Sequence, residues 1–194
     1  ITTRLVGSEM CIRDSTYAEH FGKEGAFITK ATAQLMRDFG CVQSPINAYM
    51  LNLGLESLHV RMARHCENGQ AVAEFLARHP KIAYVNYCGL PGDKYHAVAE
   101  KYLPNGSCGV VSFGVKGGRE AAAAFMGHLK IAAIETHVAD ARTCCLHPAS
   151  STHRQMNDEQ LIAAGVQPDL VRMSCGLEDK NDLIHDIAQA LDQI

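Results

Sequence analysis

Apolar positions recur at helical spacing through the first part of the chain and at strand spacing through the second. A short amphipathic helix is predicted over Ala31–Phe39, closed by Gly40 as its C-terminal stop. Ser44-Pro45 then places a capping hydroxyl before a proline at the first helical position. Beyond it Leu51, Leu55, Leu58, Met62, Cys66, Val72 and Leu76 keep a helical period up to His79-Pro80. One helix of that extent is roughly 50 Å long at about 1.5 Å per residue, with Gly54 and Gly69 as the places where it can bend. So long a helix before a change of pattern reads as a bridge between two domains.

After Pro80 short strands alternate with helices. Strands are predicted at Ile82–Tyr87, Gly109–Val115, Ile131–Thr136, Thr143–Leu146 and Leu170–Cys175. Helices fall at Tyr95–Tyr102, Arg119–Leu129, Asp158–Ala164 and Asn181–Gln193. The turns Gly89-Leu-Pro-Gly92 and Gly117-Gly118 punctuate the series. Four or five strands with intervening helices suggest an open sheet covered mainly on one face, a small α+β domain over residues 80–194 that comes after a helical region over 16–79. No internal repeat or low-complexity linker interrupts it.

Residues 1–15 keep neither period and carry no turn chemistry into the segment that starts at Thr16. The string Leu5–Ser15 looks like translated sequencing-adapter read-through, a non-biological junction; a disordered N-terminal arm is the other reading. Either way, the authentic protein is expected to begin far upstream of Thr16.

Composition narrows the class. The chain has 194 residues, 47% apolar and 20% charged, enough to bury a sizeable core. A net charge of −3 gives no electrostatic reason to expect nucleic acid or an anionic membrane as partner. No apolar run spans a bilayer, and no basic start leads into an apolar stretch as a secretory signal would, so the expected compartment is the cytosol. The 8 cysteines show no Cys-x-x-Cys pair and no ordered Cys/His spacing, so they are expected as reduced, buried thiols, with no metal site.

Candidate chemistry concentrates near the C-terminus. In the strand Leu170–Cys175 the two-residue period puts Val171, Met173 and Cys175 on one face and aims Arg172 away from it. A guanidinium there can grip a carboxylate bidentately, or it can sit in a surface salt bridge with Glu178 or Asp169. Thr143, Cys145 and His147 share a face of the preceding strand. A Thr143 hydroxyl bonded to local backbone is as good a reading as a functional one. His147 and His153 flank Pro148 at a spacing that suits neither a zinc helix nor a zinc finger, and they read as loop structure. Gly114-Val-Lys-Gly-Gly118 lacks the spacing of a phosphate loop and reads as a turn.

Several segments together resemble the Cys/Met-metabolism family of pyridoxal-phosphate enzymes: Ser44-Pro-Ile-Asn-Ala48, Gly54-Leu-Glu-Ser-Leu58, Arg61-Met-Ala-Arg-His65, Val85-Asn-Tyr-Cys-Gly-Leu-Pro91, Ser112-Phe-Gly-Val-Lys-Gly-Gly118, His147-Pro-Ala-Ser-Ser-Thr-His153 and Asp169-Leu-Val-Arg-Met-Ser-Cys-Gly-Leu-Glu178. The resemblance runs from about Thr16 to Ile194, and Phe113–Gly118 with His147–His153 favours the O-acetylhomoserine sulfhydrylase branch. It implies the C-terminal part of an aspartate-aminotransferase-like, fold-type I transferase, with a long interdomain helix and a small α+β domain built on an open, mainly antiparallel sheet. It also implies a homotetramer whose active sites are shared between paired subunits, pyridoxal 5'-phosphate as cofactor, and replacement of acetate on O-acetylhomoserine by sulfide or a thiol. By the resemblance Arg172 holds the substrate α-carboxylate. Thr143 stands where the family carries a serine that touches the same group, although Cys144-Cys145 departs from the usual aliphatic pair.

The family's Schiff-base lysine lies in a Ser-x-Thr-Lys context followed by glycines, which nothing here matches. Phe27-Ile-Thr-Lys30 aligns with a later segment, so Lys30 is not assigned that role. The aspartate, stacking aromatic and phosphate loop of the cofactor site also lie upstream in the family, so no catalytic or cofactor-binding residue is expected in this chain and it is expected to be inactive alone. A γ-lyase or synthase of the same family, a cofactor-free α+β interaction domain and a metal-binding protein using the many His and Cys residues remain as alternatives.

Overall fold

A computed structural model of the protein describes residues 16–194; the expectation for residues 1–15 lies outside them. The described residues divide into two compact units, 16–55 and 56–194.

In the first unit α1 (Thr16–Lys30) is kinked at Gly22, whose backbone takes the non-helical φ 70°, ψ 162°. It runs on through a π-helical segment, Ala31–Met36, into α2 (Arg37–Phe39). Gly40 ends the run in the left-handed conformation, φ 67°, and its N–H donates to the Met36 carbonyl at 2.8 Å. The predicted stop is correct, but the helix begins fifteen residues before Ala31; Gly22 and Gly25 had masked its period. Helix α3 (Pro45–Glu56) starts where predicted, with the Ser44 hydroxyl accepting from Asn47 N–H at 3.3 Å. No residue of α3 is buried.

The expected single long helix is divided. Helix α4 (Leu58–Arg78) begins after Ser57, which leaves helical geometry at φ −100°, ψ 1°. Neither Gly54 nor Gly69 makes the break. Gly69 is required for another reason: a Cβ there would lie 2.6 Å from the Cys108 carbonyl oxygen and 3.0 Å from Gly109 Cα.

The second unit is built on a five-stranded open sheet of order β1-β2-β5-β4-β3. The strands are β1 (Ile82–Asn86), β2 (Val110–Val115), β3 (Ala133–Ile134), β4 (Cys144–Leu146) and β5 (Leu170–Ser174). Every pairing is antiparallel except β3 with β4. Helices α5 (His96–Tyr102), α6 (Gly118–His128), α7 (Asp158–Ala163) and α8 (Lys180–Asp192) fall close to the predicted positions. Strand β3 is shorter than expected, because the chain turns away after Ile134.

Helices α4, α6 and α8 join one face of the sheet in a single core. Val72 and Leu76 of α4, Phe125 of α6 and Ile187 and Leu191 of α8 meet Val111, Phe113, Val171 and Met173 of the strands. Each such large side chain contributes about 1.5–3 kcal/mol on burial. Phe113 and Phe125 meet edge to face, centroids 5.8 Å apart. The register sets Arg172 opposite Ser112 on one side and Leu146 on the other, on the face turned away from this core.

The seven described cysteines are free. Cys144, Cys145 and Cys175 are buried as expected, whereas Cys41 and Cys108 are exposed. Among the described residues no helix is long and apolar enough to cross a membrane.

Candidate functional site

Strand β5 runs between β2 and β4, and its alternation is as predicted: Val171 and Met173 are fully buried on the core side while Arg172 is half-buried on the other. The segment 135–142, which joins β3 to β4, borders the guanidinium. Nη2 of Arg172 donates to the Thr136 carbonyl at 2.8 Å. Its Nε is buried with no hydrogen-bond partner.

The two carboxylates that could have neutralised Arg172 from nearby in sequence are both engaged elsewhere. Asp169 accepts from the Tyr84 hydroxyl at 3.3 Å. Glu178 takes the Thr143 N–H at 2.6 Å on one oxygen and the Thr143 hydroxyl at 2.8 Å on the other. Among the described residues Arg172 forms no ion pair. A guanidinium anchored on one nitrogen, with a buried donor unused, is chemically suited to a planar anion.

Thr143 is fully buried, and its hydroxyl also accepts from Gly176 N–H at 2.8 Å. Because Cys145 pairs with Met173, Thr143 lies on the core side of the sheet, opposite in sense to Arg172. The structure therefore brings the two strands together but turns the two side chains to different faces. Thr143 holds the turn that comes after β5. Helix α4 holds the same turn: His65 Nδ1–H donates to Cys175 O at 2.7 Å, and Asn68 Nδ2 donates to Gly176 O and Glu178 O, each at 2.9 Å. Gly176 fits only without a side chain, since a Cβ would lie 2.5 Å from backbone atoms of Ala141, Arg142 and Thr143.

His147 and His153 have the structural parts expected of them. His147 is buried; its Nε2–H donates to Pro168 O at 2.8 Å and Nδ1 accepts from the Ser150 hydroxyl at 2.9 Å. His153 meets the Thr152 hydroxyl at 2.9 Å. Arg119 fixes the same loop by donating to Ala149 O at 2.6 Å while pairing with Asp158. Asp186 of α8, whose buried carboxylate accepts the backbone N–H groups of Lys130, Ile131 and Ala132, sets the entry to β3.

Sequence reasoning missed Glu178, Thr136, Arg119 and Asp186 as positioning residues. Only Glu178 had a signal, six residues after Arg172 in the motif. Asp140, on the segment beside Arg172, is held below the ordinary carboxylate range by the Arg142 backbone N–H and the His137 ring.

Five of the described lysines are engaged locally. Lys81 donates to Leu191 O and Ile194 O, Lys116 to Pro80 O, and Lys180 pairs with Glu67. Lys94 and Lys101 lie over the rings of Tyr95 and Tyr102. Each of these amines has a local partner and none pairs with the surroundings of Arg172. The guanidinium of Arg172 has the donor geometry for a carboxylate, and these five engaged amines supply no Schiff-base nitrogen beside it.

Residues 21–192 match the family model described as Cys/Met metabolism PLP-dependent enzyme. Among curated proteins, O-acetyl-L-homoserine sulfhydrylase of Leptospira meyeri is 45% identical over 87% of this chain and 38% of its own length. O-acetyl-L-homoserine sulfhydrylase 1 of Thermus thermophilus is 43% identical over 89% of this chain and 41% of its own. A crystal structure of a putative O-acetylhomoserine (thiol)-lyase from Campylobacter jejuni, containing a pyridoxyl-lysine phosphate, superposes with a TM-score of 0.77 at 36% identity, covering 84% of this chain and 39% of that one. The chain thus spans about two fifths of the length of these relatives.

Proposed function

The chain belongs to the Cys/Met metabolism PLP-dependent enzyme family, and from that membership we propose that it is the C-terminal part of an O-acetylhomoserine sulfhydrylase. The whole protein would replace the acetate of O-acetylhomoserine with sulfide or a thiol, giving homocysteine or methionine, as a cytosolic homotetramer. Pyridoxal phosphate, bound by parts of the protein outside this chain, would supply the electron sink for that chemistry. The chain itself is inactive without those parts.

The observation that carries the reading is Arg172. It sits on a central strand between two neighbours, its Nε is buried without a partner, and both nearby carboxylates are occupied. In the proposed role it grips the substrate α-carboxylate and so fixes the orientation of Cα relative to the reacting centre. Thr143 enters differently from the direct contact expected of it. Its hydroxyl is committed to Glu178 and Gly176, so its contribution is to fix the end of the arginine-bearing strand.

Expression of the longer reading frame that contains this chain tests the reading. Homocysteine formed from O-acetylhomoserine and sulfide supports it. An α-keto acid released without sulfide makes the protein a lyase, and a protein that takes up no cofactor overturns the enzymatic reading.

A further inference from the structure

On the face of the sheet that carries Arg172 lie three side chains outside the role given to it. Glu135, His137 and Cys144 bring a carboxylate oxygen, an imidazole nitrogen and a sulfur to within 4.8 Å of one another. His137 Nδ1 is 3.2 Å from Glu135 Oε2, and Cys144 Sγ is 3.9 Å from the same oxygen. A tetrahedral zinc ion, with bonds of about 2.0–2.3 Å to oxygen, nitrogen and sulfur, sets its ligands about 3.3–3.6 Å apart. Both of these sides are within about half an ångström of that spacing, and the third, from His137 to Cys144, is no longer than 4.8 Å, so the triangle closes on such an ion with shifts of up to about an ångström. We propose that Glu135, His137 and Cys144 form a binding site for a zinc-class divalent cation, with a fourth position left to solvent or an exogenous ligand.

The donor set decides the class of metal. A thiolate with an imidazole selects a borderline ion such as zinc over calcium or magnesium, which take oxygen ligands. The sulfur is pre-placed, because Cys144 is buried in β4 and paired across to Ala133 and Ser174. His137 Nδ1 also lies 3.3 Å from Asp140 Oδ2, so on binding the proton this nitrogen shares with the two carboxylates passes by way of solvent to Nε2 and frees Nδ1 for the ion. Arg142 Nη2 lies 3.3 and 3.4 Å from the two Glu135 oxygens, so it holds the carboxylate in place and competes with a cation for one of them. On binding, Cys144 gives its thiol proton to solvent. The charges of Glu135, Asp140, the thiolate, Arg142 and a divalent ion then sum to zero.

The site also touches the proposed substrate grip. Thr136, between two of the ligands in sequence, supplies the carbonyl that anchors Arg172. An ion bound here fixes that carbonyl; this consequence, unlike the binding site, rests on the functional reading above.

The test is titration of the full chain with Co²⁺ as the spectroscopic probe and Zn²⁺ by calorimetry. One Co²⁺ per chain with a thiolate charge-transfer band in the near ultraviolet is expected. His137→Ala, at an exposed position, should weaken binding by more than about tenfold with an unchanged far-ultraviolet spectrum. Cys144→Ser should remove the charge-transfer band, and Arg142→Gln should tighten binding. Absence of the band in the unaltered chain overturns the proposal, as does a band that survives Cys144→Ser with affinity unchanged in His137→Ala. Binding is read without any enzymatic assay, so this outcome and that of the sulfhydrylase reading are distinguishable.

Discussion

Thr143 and Glu178 hold each other through two hydrogen bonds, backbone N–H to Oε1 at 2.6 Å and hydroxyl to Oε2 at 2.8 Å. The pair closes the turn after the arginine-bearing strand. Glu178→Ala removes both acceptors and leaves a buried N–H unpaired, so it should cost about 2–3 kcal/mol of stability. Thr143→Ser keeps both bonds and should cost far less, whereas Thr143→Val also strands the Gly176 N–H and should cost about 1–3 kcal/mol. Urea midpoints at constant m-value check the order.

Gly176 allows the segment before β4 to pass directly over its Cα. Gly176→Ala places a methyl group 2.5 Å from three backbone atoms, none of which is the end of a flexible side chain. A loss of about 3 kcal/mol or more is expected, with a lower thermal midpoint by calorimetry.

The fold was legible in the sequence wherever local signals and tertiary packing agree. The alternation in Leu170–Cys175, the proline-led start of α3 and the stop at Gly40 each have a local cause, and each is where the pattern puts it. The break at Ser57 had no local signal, since serine is an ordinary helix residue and Gly54 offered a stronger one. The facing of Arg172 was legible from its two-residue period. The engagement of Thr143 was not, because Glu178 is thirty-five residues away and meets it only through the strand pairing.

Burial holds the thiols of Cys145 and Cys175 above their ordinary range, Cys175 at about 12. In the unfolded chain these thiols ionise near about 8.5. Below that pH both states keep their protons and the buried thiols cost nothing; above it the unfolded state loses protons that the folded state retains. Stability should therefore fall as pH rises from about 8.5 toward the folded values, by linkage. Unfolding free energy measured across that window, compared with Cys145→Ala and Cys175→Ala variants, checks the sign. A thiol reagent should label Cys41 in the native protein and reach Cys145 and Cys175 only after unfolding.

Helix α3 buries none of its residues, and Ile46, Tyr49, Met50 and Leu53 are all more than half exposed, between 52% and 63%. An apolar surface of that kind promotes association. The chain alone should show concentration-dependent self-association in sedimentation velocity, and Ile46→Glu with Met50→Lys should shift it toward the monomer.

The unused donor of Arg172 is the feature on which the substrate site depends, and steady-state kinetics of Arg172 variants in the longer protein probe it without intermediaries. Loss of a charged hydrogen-bonding pair of about 1.5–3 kcal/mol corresponds to a fall of about ten- to a hundredfold in kcat/KM for O-acetylhomoserine. Arg172→Ala should show that loss, with cofactor absorbance and folding unchanged, and Arg172→Lys should restore only part of it because an ammonium does not reproduce the planar fork. An unchanged kcat/KM in Arg172→Ala would remove Arg172 from the substrate site, and the proposed carboxylate grip with it.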